Sequence, residues 1–83
     1  MGTDKIKQGT ENIIGKNIRR VRKERKIGQT ELVRNLQLMN VEITRESLVK
    51  IERGIQHIQL EQLRGIKEAL KTTYDELLEK HNE

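Results

Sequence analysis

The stretch ITRESLVKIERG, Ile43 to Gly54, reads as one short amphipathic helix with two unlike faces. Ile43, Leu48 and Ile51, continued by Ile55, recur at helical spacing, and Gly54 stands where a helix stops. Thr44 precedes the helix as an N-cap; its side-chain oxygen would accept from an orphaned N–H and contribute about 1 kcal/mol. The other face carries Thr44, Arg45, Glu46, Ser47, Val49, Lys50 and Arg53. Being mostly polar, it needs either water or a partner.

Eighty-three residues hold one small domain, and chains of this size bury only about 60–65% of their unfolded surface. Tyr74 is the single aromatic, so the core must be built from Ile, Leu and Val. Proline is absent and the apolar residues fall in threes and fours, which gives an all-α class: a compact five-helix bundle. The first helix is expected at about 11–25, on Ile14, Ile18, Val21 and the stem of Arg25. The second covers about 29 to 36 or 38, after Gly28 as N-cap with Glu31 three positions on, and turns Leu32, Val33 and Leu36 inward. A connection QLMNVEI follows; Asn40 is its best left-handed residue, and Val41 and Ile43 pin it to the core. The helix at about 45–53 is third. The fourth, at about 60–70, carries Leu60, Leu63, Ile66 and Leu70, and the fifth runs from Tyr74 to about Lys80 behind a Thr73/Glu76 capping box, with Leu77 and Leu78 closing the bundle. Residues 1–10 are expected to be a flexible tail, 11–80 the domain and 81–83 a frayed end.

Charge is unevenly placed. Net charge is +4, but residues 1–54 hold thirteen Lys/Arg against seven Asp/Glu, while residues 55–83 hold four against six. A basic front and a mildly acidic rear suit a polyanion partner on one side. KNIRRVRKERK, at 16–26, holds seven basic residues in eleven, yet its apolar stripe lacks the Trp, Phe and Leu of a membrane-surface helix. No run of about 18 apolar residues spans a membrane, and MGTDKIKQG has no apolar signal core. The lack of cysteine fits a reducing cytoplasm and excludes a disulfide framework. His57 and His81 form no metal set, and neither a nucleophile–base pair nor a phosphate loop is present. No enzyme activity, cofactor or metal is expected.

Two short helices, the second polar at its first turn, suit double-stranded DNA. The major groove, about 12 Å wide, admits one helix, whose first turns reach the base edges. Arginine can donate two parallel bonds to guanine, serine can bond many edges, and glutamate can accept from cytosine. In Gln29-Thr30-Glu31-Leu32 and Thr44-Arg45-Glu46-Ser47-Leu48-Val49-Lys50-Ile51-Glu52-Arg53-Gly54 the chain resembles the phage-repressor/Cro-type helix-turn-helix family, also called XRE, from about Ile14 to Leu78. IGKNIRRVRKERKIGQTEL is similar to that family's first helix and the start of its second, and TTYDELL to its last helix.

The resemblance implies a lambda-repressor-like fold and a sequence-specific transcriptional regulator, such as a repressor. On it, Arg45, Glu46, Ser47 and Lys50 read bases. Gln29 anchors to a phosphate, Thr44 helps to position the helix, and Lys16, Arg19 and Arg20 supply backbone contacts. Arg22 pairs with Glu52 and locks the recognition helix onto the first helix. The pattern is departed from in four places. The connection QLMNVEI makes the turn about five residues longer than usual, as in an LQL–I[ST]R variant of the family. Val33 replaces a small alanine, which implies a wider interhelical angle. Lys26 replaces a left-handed glycine at a cost on the order of 1 kcal/mol. Ile55-Gln56-His57-Ile58 replaces a basic loop. A homodimer through the fourth and fifth helices is expected, placing two recognition helices about 34 Å apart. The other class open to such a fold is an antitoxin-like or adaptor module that binds protein.

Overall fold

A computed structural model describes residues 12–81, and among them the chain is all-helical. Helices α1 (Ile13–Glu24), α2 (Gln29–Leu38), α3 (Arg45–Arg53), α4 (Leu60–Leu70) and α5 (Tyr74–Leu78) follow in that order. The expected tail at 1–10 and residues 82–83 lie outside the described residues. His81, expected to fray, is half-buried. Among the described residues no helix is long and apolar enough to cross a membrane.

One apolar cluster holds the helices together: Ile18, Val21, Leu32, Val33, Leu36, Ile43, Leu48, Ile51, Leu63, Ile66, Leu70 and Leu77. Fully burying such a side chain is worth roughly 1.5–3 kcal/mol, so twelve of them are the main stabilising term. Helix α1 packs on α3, α4 and α5, and α2 on α3 and α4. Three apolar residues depart from the expected core. Leu60 begins α4 and is 65% exposed, Ile55 is 63% exposed beyond the turn at Gly54, and Leu78 is 42% exposed while Leu77 alone faces inward. Val33 is buried.

Helix ends show how local sequence and tertiary packing combine. The first helix begins at Ile13, where the Asn12 side chain accepts from the Gly15 amide and starts it; the expected start at Glu11 lies outside the described residues. Four helices end alike. Lys26, Asn40, Gly54 and Lys71 take positive φ of 59°, 65°, 80° and 54° after α1, α2, α3 and α4. At each, paired amide bonds close the last turn, as in Ile27 to Arg22 at 3.0 Å and Val41 to Leu36 at 2.9 Å. Long-range caps satisfy further carbonyls. Arg25 donates to Leu70 and Lys71, and the buried Asn17 amide donates to the carbonyls of Leu77 and Glu79. The last helix therefore stops at Leu78, two residues short of the expected Lys80. Thr73 caps its start, while the Glu76 carboxylate turns to Arg20 instead of completing a capping box.

The connection between α2 and α3 is ordered by glutamines. Gln37 Nε2 donates to the Ile43 carbonyl at 3.0 Å. Gln62, itself 5% exposed, donates to the Glu42 carbonyl at 3.1 Å and accepts from the Gln59 amide. Asn40 adopts the expected left-handed conformation, Ile43 is buried, and Val41 packs on the core. The turn is thus fastened at both ends before α3 begins.

Lys26 is exposed and left-handed, so Lys26→Gly relieves about 1–2 kcal/mol of backbone strain against about 0.5–1 kcal/mol of added chain entropy. We expect its melting temperature to rise by about 2–6 °C, since about 1 kcal/mol moves a domain of this size by 4–8 °C. Calorimetry that found a fall would contradict this account of the turn.

Candidate nucleic-acid interface

Helix α3 is built to keep one face in the core and to present the other. Leu48, Ile51 and Glu52 are buried, whereas Arg45, Glu46, Lys50 and Arg53 are exposed. Thr44 takes an extended conformation before the helix, and its Oγ1 accepts from the Ser47 amide at 3.0 Å. The Thr44 hydroxyl donates to Ser47 Oγ at 3.1 Å. Its oxygen is thereby occupied in fixing the helix start, and the Ser47 hydroxyl keeps its own proton to donate elsewhere. The remaining orphan amides of the first turn and the dipole's positive end favour negative charge there. Glu46 meets part of that preference. Among the described residues, Arg45, Glu46 and Lys50 make no side-chain hydrogen bond or ion pair.

The orientation of α3 is set by Glu52. Arg22 Nε and one terminal nitrogen reach the two carboxylate oxygens at 2.8 and 2.9 Å, a bidentate pair whose side chains are 10% and 3% exposed. The other terminal nitrogen of Arg22 donates to the Ile27 carbonyl, so the same guanidinium fastens the turn into α2. Gln29 Nε2 donates to Glu52 Oε1 at 3.1 Å, bringing the start of α2 to the same carboxylate. The Glu52 carbonyl also accepts from Asn12 Nδ2 at 2.7 Å. One residue of α3 is consequently held from α1, from α2 and from the cap of α1. Gly15 makes this possible, because a Cβ there would collide with the Ile51 carbonyl and the Asn12 side chain.

Each expected site residue can now be placed. Arg45, Glu46, Ser47 and Lys50 share the first turns of α3, all exposed except the half-buried Ser47. Gln29 is half-buried at the start of α2; its amide spends one of two donors on Glu52 and retains the other. Lys16 and Arg19 are exposed on α1. Arg19 lies in the same three- and four-residue row as Gly15 and Arg22, the positions that meet α3. Arg20 points elsewhere. Its guanidinium bonds Glu24, the Glu76 carboxylate and the Glu76 carbonyl at 3.2–3.3 Å, and only 22% of the side chain is exposed. It faces α5, one step round the helix from Arg19.

Sequence reasoning overlooked Asn12, although an asparagine before an apolar helical row, with an amide to cap three residues on, is an N-cap signal. It also left out the exposed cations Lys23, Arg34 and Arg53. Two hollows flank α3. Near its start, Gln37, Asn40, Gln56, Gln59 and Gln62 line a polar one of about 760 Å³. Near its end, Ile13, Ile14, Ile55, Ile58 and Leu78 line an apolar one of about 570 Å³. Among the described residues no group of acidic, histidine or cysteine side chains could hold a metal. Comparison with protein-family models, curated proteins and solved structures gave no match.

Breaking one half of the buried pair should be far worse than removing both halves. Arg22→Met leaves a buried carboxylate without its charge partner and should cost about 3–5 kcal/mol, and Arg22→Met/Glu52→Leu should recover most of that loss. Urea midpoints at constant slope measure both. A single-variant cost below about 1 kcal/mol would rule out the clamp.

Proposed function

We propose that this chain is a sequence-specific, double-stranded DNA-binding transcriptional regulator of the phage-repressor/Cro-type helix-turn-helix class, working in the cytoplasm. The observation that carries this reading is the first two turns of α3: exposed Arg45, Glu46 and Lys50 with a capped Ser47, on a helix held at Glu52 from two other helices. Helix α3 enters the major groove. Arg45 donates to a guanine, Glu46 accepts from a cytosine, and Ser47 and Lys50 contact neighbouring edges. Gln29, Lys16 and Arg19 set the register on phosphates, which carry no sequence information themselves. The basic balance of residues 1–54 supplies the long-range attraction.

A second reading, an antitoxin-like or adaptor module on the same fold, is favoured by the apolar hollow beside the end of α3. Selection from a random duplex pool followed by salt titration separates the two. A motif should emerge, and log affinity should fall with log salt at about −0.9 per phosphate neutralised. Arg45→Ala should cost about 1–3 kcal/mol on that motif and relax one base position. Failure to enrich any sequence, or affinity indifferent to salt, would favour the protein-binding module.

We also propose a homodimer through α4 and α5, where Leu60, Tyr74 and Leu78 are exposed among charges. Lys67 lies over the Tyr74 ring, 5.1 Å from its centre, and holds that ring in place at the surface. Two recognition helices about 34 Å apart would then meet successive turns of one DNA face. Sedimentation equilibrium should show a dimer on DNA; a monomer both free and bound, at high concentration, would exclude it.

A further inference from the structure

We infer that Val49 is a specificity-determining residue of α3 that reads the 5-methyl group of a thymine; the inference rests on the DNA-binding reading above. Val49 is half-buried, yet it stands apart from the core. The half-buried apolar residues packed against that core are Ile14, Ile27, Val41, Ile58 and Ala69. On α3, Val49 falls one turn after Arg45 and one turn before Arg53, with Lys50 beside it. It is therefore the single hydrocarbon group set among the exposed charges of that face. Its β-branched side chain holds essentially one rotamer in a helix, so its methyls are already fixed before any partner arrives.

The partner's chemistry follows from what valine lacks. Having no donor or acceptor, it can discriminate only apolar features, and the thymine methyl is the apolar feature of the major-groove edges. One helical turn advances about 5.4 Å, comparable with one to two base steps of about 3.4 Å. Val49 thus reaches a thymine one or two base pairs from the base that Arg45 contacts. Arg45 selects by hydrogen bonds, and Val49 selects by exclusion of water from a methyl pair.

The test uses the full chain and the duplex enriched by selection, with each thymine replaced in turn by deoxyuridine, which removes the methyl and keeps the pairing edge. One replacement should weaken the wild-type chain about three- to fivefold, in line with loss of one buried methyl-sized group. Val49→Ala should bind the thymine duplex three- to tenfold more weakly and be indifferent to that same replacement. Val49→Thr, close in shape, should keep the methyl preference in part. Circular dichroism should show both variants folded, since the site lies outside the core. If every replacement affects Val49→Ala and wild type equally, or if none affects wild type, the inference is wrong while the regulator reading stands. If wild type enriches no duplex at all, both fall.

Discussion

Everything presented by α3 depends on one buried carboxylate. Glu52 lies on the inner side of the helix and receives Arg22, Gln29 and, at its carbonyl, Asn12. A charge this enclosed is costly unless paired, so the bonds from Arg22 and Gln29 are a condition of folding with the Glu52 carboxylate inside. Their directions matter more than their net energy. A hydrophobic contact would let α3 roll or slide by an ångström, whereas a bidentate guanidinium fixes the carboxylate plane and with it the rotation of the helix. Rotation decides which side chains look outward. Turning α3 by a third would exchange Lys50 and Arg53 for Ser47 and Ile51, and the polar face would be lost.

The same economy explains the helix ends. A core of aliphatic side chains in a chain this small stabilises five helices only modestly. Much of the fixing is done by side chains that bond the backbone of another element: Asn12 to α3, Asn17 to α5, Arg25 to α4, and Gln37 and Gln62 to the long turn. Each satisfies a backbone carbonyl of another element, and each ties that element to its own.

This division also marks what could be read from the residues. The periodic rows of Ile18, Val21, Leu48, Ile51, Ile66 and Leu70, and the caps at Thr44 and Gly54, are local signals, so the helices and the inner side of α3 were legible within a residue or two. Asn40 was legible as a left-handed position because asparagine tolerates positive φ, whereas Lys26 was expected there only from the family resemblance. Cross-chain bonds were not. Asn17 meets Leu77 across sixty residues, and nothing near Asn17 announces it. Arg20 and Arg19 are adjacent in a basic run, and composition cannot say that one turns to Glu76 and the other to solvent. Leu60 and Leu78 kept the helical period but sit at helix ends, where the period no longer implies an inward face.

The turn between α2 and α3 then acquires a physical role. Six residues separate α2 from α3, and such a link would ordinarily let the two helices choose many relative angles. Here Asn40 reverses the chain, Val41 and Ile43 enter the core, and two glutamine amides hold the carbonyls of Glu42 and Ile43. The start of α3 is therefore fixed from the turn, and its end from Glu52. A nine-residue helix clamped at both ends loses little further freedom when it meets a partner. The six-residue connection therefore leaves the exposed face of α3 fixed; Gln37 of α2 and Gln62 of α4 hold it from outside, and Val41 and Ile43 anchor it from within.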